Sequence, residues 1–174
     1  MRAVFLCLLL SSLAACAAEI PNRLIDYPAF ERNVGKVGKL RAQQRVSEEE
    51  FIRMAADPKT VILDARSAEM FRLLHVTGAS NLSLPDITAD ELAKVIPSKS
   101  TRVLIYCNNN FLNAPKAFAT KTPSASLNIH TFNVLYSYGY TNVYELGSLI
   151  DIRNAKLQFD GSGEQFVQIT VPAS

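Results

Sequence analysis

Net charge is nearly absent from this sequence: 18 lysines and arginines stand against 16 aspartates and glutamates, a formal +2. A chain so close to neutral offers no basic surface for nucleic acid and no polybasic patch for an anionic membrane. Histidine is scarce too, with two in the whole chain. His75 and His130, together with few cysteines at unpatterned spacing, fall short of a zinc site. No metal and no cofactor is therefore expected. No apolar run reaches the roughly 20 residues that a bilayer crossing needs. Internal repeats are missing, and the only biased tract is the asparagine triplet at 108–110. With 48% hydrophobic and 20% charged residues, the 174-residue chain has the composition of one ordinary globular domain.

What is present begins with an export signal. MRAVFLCLLLSSLAAC carries a positive charge at Arg2, then an apolar run, then small residues. Its end, Leu13-Ala14-Ala15-Cys16, resembles the lipobox of bacterial lipoproteins, in which the cysteine becomes the first mature residue and carries lipid. The expected division is a signal at 1–15, a tether and lead-in at 16–45, one folded domain at 46–159 and a tail at 160–174. The expected product is exported and periplasmic, held on the membrane through lipid on Cys16. Simple cleavage at a small-x-small site, leaving a soluble exported protein, is the alternative. Loss of the signal removes one basic residue and no acidic one, so the charge falls from +2 to +1.

Of the three cysteines, Cys7 leaves with the signal and Cys16 is the lipid site, so Cys107 stands alone without a disulfide partner. An unpaired thiol in an exported protein is either reactive or a small buried apolar side chain.

The domain opens with Val46-Ser47-Glu48-Glu49-Glu50-Phe51, where Ser47 caps a helix, Glu50 returns the bond, and Val46 and Phe51 form a hydrophobic staple. This helix ends near Asp57-Pro58. The pattern recurs at Thr88 and Glu91 in a helix that stops before Pro97. VILDAR (61–66), VLIYC (103–107) and NVYEL (142–146) read as strands, apolar on both faces and alternating with helices. The fold class is α/β, with a central parallel sheet flanked by helices on both faces. Ligands bind beyond the carboxyl ends of such strands, which is where Cys107 stands in VLIYC, and Asp64 and Arg66 in VILDAR.

These segments resemble a family, the rhodanese-like domains. LDAR (63–66) followed by HVTGASNLSLP (75–85) is similar to the family's strand end and its His-x-x-Gly-Ala-x-Asn segment. VLIYC resembles the strand leading to the active-site cysteine, and GYTNVYELGS (139–148) the late glycine-aromatic strand. The resemblance implies that Cys107 carries sulfur as a persulfide, taken from a donor such as thiosulfate. It also implies that Asp64 and Arg66 tie loops together, with His75 in a supporting place.

Active members follow the cysteine with a loop holding arginine or lysine and glycine. Here the loop is Asn108, Asn109, Asn110, Phe111, Leu112 and Asn113. An arginine fork grips an anion through paired charge-assisted bonds, whereas asparagine amides donate neutral ones. The nearest cation is Lys116, expected in the first turn of a short helix over 114–120. An insertion at 121–130 then lengthens the chain and either lids the site or idles on the surface. A phosphatase loop of the Cys-x5-Arg type is excluded, because Asn113 stands where its arginine belongs.

Oriented backbone amides and a helix amino end would favour the thiolate of a strand-end cysteine. Asparagines tolerate left-handed backbone, so the triplet is able to cradle the sulfur without glycine. Phe111 packs in the core or covers the sulfur. The expected function is sulfane-sulfur transfer at the cell envelope with Cys107 as nucleophile. Its partners would be a small sulfur-containing donor or acceptor, or an envelope protein. A catalytically silent binding module and a thiol redox sensor are the other readings.

Overall fold

A computed structural model describes residue 20 and residues 22–163. The expected signal at 1–15, the lipid-site Cys16 and most of the 160–174 tail lie outside the described residues.

Helix α1 (Tyr27–Gln43) starts at Asp26, whose carboxylate accepts the Ala29 N–H at 2.8 Å. There follow β1 (Arg45–Val46), α2 (Glu48–Ala55), β2 (Val61–Asp64), α3 (Ala68–Leu73), β3 (His75–Val76), β4 (Ser80–Asn81) and α4 (Ala89–Val95). The second half comprises β5 (Val103–Tyr106), β6 (Phe111–Leu112), α5 (Leu127–Ser137), β7 (Val143–Leu146), β8 (Ile150–Asp151) and β9 (Phe159–Asp160). Five strands form a wholly parallel sheet in the order β1-β7-β5-β2-β4. Two short ladders lie outside it, β3 antiparallel to β9 and β6 parallel to β8.

Side-chain alternation along the central strand divides the core in two. Val103 and Ile105 join Val37 of α1, Leu92 of α4, and Phe132 and Leu135 of α5 on one face. Leu104 and Tyr106 join Phe51 of α2, Phe111, Phe118 and Leu146 on the other. Every residue of β5 is buried, as a strand covered on both faces requires. Truncating a fully enclosed member such as Ile105 to alanine costs about 2–5 kcal/mol.

Ser47 Oγ accepts the Glu50 N–H and Thr88 Oγ1 the Glu91 N–H, each at 3.2 Å, so both expected caps form. The return bonds do not. Glu50 pairs instead with Arg53, and Glu91 with Lys94 at 2.6 Å, because each carboxylate has a cation one helical turn away.

The 16–45 stretch, expected as tether and lead-in, contains α1 and the first residue of the edge strand β1. Tyr27, Phe30, Val34 and Val37 recur at helical spacing, but Gly35, Gly38 and interleaved charges dilute the pattern. Arg41 of α1 grips Glu145 of β7 with two bonds, one of them Nη2 to Oε1 at 2.6 Å, and Arg45 Nε stands 3.6 Å away. Glu145 is only 3% exposed, so this fork supplies the partner that a buried carboxylate needs.

Candidate functional site

β5 ends at Tyr106, and the next residue continues its alternation. Tyr106 turns toward the α2 face, while Cys107 turns toward α5, where its Sγ lies 3.4 Å from the Ser126 hydroxyl. Ser126 is the residue that immediately precedes α5. Cys107 is a free thiol and 1% exposed. Of the two expectations for this thiol, reactive or buried, the structure shows it buried, with the Ser126 hydroxyl against the sulfur.

The cover comes from the stretch expected as an insertion. Residues 127–130 of that stretch form the first turn of α5, and the part before them carries Ser126 across the sulfur. The helix expected over 114–120 is absent, leaving one turn closed by the Phe118 N–H on the Ala114 carbonyl at 2.8 Å. The turn does not continue because the Ala117 carbonyl and the Lys121 N–H, which would pair in a helix, are taken by Arg66 Nη1 at 2.8 Å and Asn109 Oδ1 at 3.0 Å. The helix whose amino end meets Cys107 is therefore α5, which starts 20 residues farther along. Lys116 sits on the exposed side of the 115–117 turn.

The asparagines build the loop with their side chains. Asn108 to Asn110 make a right-handed 3-10 turn, not a left-handed cradle, and the left-handed residue is Asn113 at φ 64°. Asn110 Oδ1 accepts the Cys107 N–H at 2.9 Å and an Asn128 N–H at 3.0 Å. Its Nδ2 donates to the carbonyls of Leu146 at 2.7 Å and Ser148 at 3.1 Å. In return the Asn110 backbone N–H bonds the Cys107 carbonyl at 3.2 Å and faces the Cys107 side chain in a capping-box arrangement. Asn109 makes a two-way bond with the Lys121 backbone, at 2.7 and 3.0 Å. One amide thus ties the cysteine loop to the end of β7, and the next ties it to the covering stretch. Phe111 packs at 4.5 Å from the Phe118 ring on the opposite face, away from the sulfur, and Leu112 is 44% exposed.

Asp64, Arg66 and His75 are not brought to the thiol. Asp64 and Arg66, at 0% and 3% exposure, form a buried pair with Nη2 to Oδ2 at 2.6 Å. The remaining guanidinium donors go to the carbonyls of Ala117 at 2.8 Å and Leu74 at 2.7 Å, and Phe118 stacks 4.2 Å away. Tyr106 donates to Asp64 at 2.5 Å and accepts the Val76 N–H at 3.1 Å. Burial first, then the adjacent carboxylate, pushes the Tyr106 phenol well above its ordinary pKa and keeps it a donor. The knot fastens the end of β2 to β5, to the start of β3 and to the 115–117 turn. His75 donates from Nδ1 to the Phe71 carbonyl at 2.7 Å and stacks on the Phe71 ring at 3.7 Å.

Among the described residues no three His, Cys, Asp or Glu side chains gather as a metal site. His130 lies apart on α5, lining a groove of about 220 Å³ with Phe30, Leu84, Val134 and Tyr138. The site residues that sequence reading misses are Ser126 and Asn128. Both reach Cys107 or its loop only when α5 folds back, and no local pattern marks that contact.

A rhodanese-like domain family model matches residues 47–149. The solution structure of a rhodanese-like domain from Anabaena sp. is 19% identical, covers 75% of this chain and 86% of its own, and superposes with a TM-score of 0.50. A rhodanese with anions from E. coli is 21% identical, covers 59% of this chain and 99% of its own, and has a TM-score of 0.39. The hp1203 protein of Helicobacter pylori is 18% identical over 70% of this chain and 93% of its own, with a TM-score of 0.46. No curated protein matches the sequence. The family match spans more than half of the chain and takes in β2, β5, β7 and the cysteine loop: the chain belongs to the rhodanese-like domain family.

Proposed function

We propose that this chain acts as a rhodanese-fold binding module at the cell envelope, with Cys107 retained as a covered structural residue. The observation that carries the reading is the 1% exposure of Cys107 beneath Ser126. A nucleophile must meet its donor within bonding reach, and this cysteine is almost wholly shielded from solvent. The amides of Asn109 and Asn110 are committed to carbonyls and backbone N–H groups of their own chain. The 108–113 loop brings no cation for an anionic donor. The partner is an envelope protein, met at the carboxyl end of the sheet. There Leu112 of β6 and Leu149, the residue before β8, are 44% and 64% exposed beside the cysteine loop.

The test is to incubate the folded protein with thiosulfate, and separately with polysulfide, and to read the intact mass. No adduct is expected. One added sulfur that disappears in Cys107→Ser would sink the reading.

A second reading, a gated sulfur carrier, is favoured by what covers the thiol. A hydroxyl and the amino end of α5 suit a persulfide anion better than aliphatic neighbours would. In that case the sulfur adduct forms only when the 121–126 cover opens.

A further inference from the structure

The N-terminal end of α1 leaves an apolar surface that the domain does not cover. Six of the nine large hydrophobic residues exposed among the described residues fall between positions 20 and 34: Ile20, Leu24, Ile25, Tyr27, Phe30 and Val34, at 90, 79, 72, 65, 46 and 41% exposure. Tyr27, Phe30 and Val34 occupy one helical stripe, which continues into Val37, 2% exposed in the core. The same stripe is therefore core at one end and bare at the other. Tyr138, the residue that follows α5, is 37% exposed and extends the bare end across the groove beside Phe30. Concentrated exposure of this kind marks an interaction surface, unlike single scattered leucines.

Its position indicates the partner. Cys16, the residue read as the lipid site, stands four positions before Ile20. Four extended residues span at most about 14 Å. Lipid on Cys16 would thus keep Ile20 close to the headgroup boundary, and Leu24 and Ile25, eight and nine positions from the anchor, within about 30 Å of it. Within the stretch Arg23 and Arg32 balance Asp26 and Glu31, so the contact is one of apolar burial rather than charge. Tyrosine and phenylalanine at 27, 30 and 138 are side chains that settle at a membrane–water boundary. No helix among the described residues is long and apolar enough to cross a membrane, so the contact is along the surface.

We propose that residues 20–34, with Tyr138, form a seat that lies in the membrane interface and fixes the orientation of the domain on the bilayer. The orientation rests on the lipid-anchor reading of Cys16, whereas the apolar contact is a property of the folded chain.

The sequence contains no tryptophan, so one substitution supplies a unique fluorophore. Full chains carrying Phe30→Trp or Leu149→Trp are placed in vesicles of phosphatidylethanolamine and phosphatidylglycerol with brominated acyl chains. Acylation of Cys16 is read separately by palmitate labelling against Cys16→Ser. An apolar face sinks roughly 5–10 Å into the boundary, within reach of the bromines. Blue-shifted, strongly quenched emission is expected from Phe30→Trp, and at least about twofold weaker quenching from Leu149→Trp. Unquenched Phe30→Trp, or equal quenching of both, overturns the seat whether or not Cys16 is labelled. Selective quenching without palmitate label upholds the seat and removes the anchor reading; label without quenching does the reverse.

Discussion

The sulfur of Cys107 and the hydroxyl of Ser126 lie 3.4 Å apart across 19 residues of sequence. This contact decides what the domain is able to do, because the segment that brings Ser126 is fastened to the cysteine loop by Asn109. Asn109→Ala removes both bonds to the Lys121 backbone. Stability should fall by only about 1 kcal/mol, since the site is half-buried. Alkylation of Cys107, followed by mass, should nevertheless speed up several-fold as the cover opens more often. An unchanged rate would show that Lys121 is not the latch.

Asn110→Ala should be much costlier. The amide joins Cys107, Asn128, Leu146 and Ser148, and it is 6% exposed. Its loss strands several buried groups at about 1 kcal/mol or more each. Urea unfolding should register a drop of about 2–4 kcal/mol with little change in the slope.

The Asp64–Arg66–Tyr106 knot predicts a response to alkali. Folding raises the Tyr106 pKa, so the native state holds its proton more tightly than the unfolded chain. That contribution is complete below the ordinary phenol value of about 10 and is lost as pH climbs from there toward the raised folded value. Tyr106→Phe should therefore be less stable at neutral pH yet show a flatter loss of urea midpoint above about pH 10. Asp64→Asn should cost about 3–5 kcal/mol, because it leaves the Arg66 charge buried without its carboxylate.

Docking of α1 depends on Arg41. Arg41→Met leaves Glu145 with only the more distant Arg45, and about 2 kcal/mol should be lost by urea unfolding. Adding Glu145→Gln to that variant should recover part of the loss, since the amide no longer buries a charge.

The sequence makes α2 and α4 legible because serine and threonine caps act within one turn. It makes β2, β5 and β7 legible because a doubly covered strand is apolar on both faces, with only the paired carboxylates of Asp64 and Glu145 breaking the runs. Helix α1 is harder to see: its stripe is four residues long and broken by two glycines, and its main polar tie, Arg41 to Glu145, joins residues 104 apart. Cys107 itself stands out at once as the lone thiol at a strand end. Its burial does not, because the cover arrives from Ser126, and the stretch before it is held by long-range bonds from Arg66 to Ala117 and from Asn109 to Lys121.

The central claim, that the thiol is closed off in the native fold, is tested most directly by the rate at which a small alkylating reagent modifies Cys107. The covered site predicts a rate in native buffer at least about a hundredfold below that in denaturing urea, rising with denaturant as the structure opens. A native rate matching that of the unfolded chain would contradict the account and return Cys107 to the role of working nucleophile.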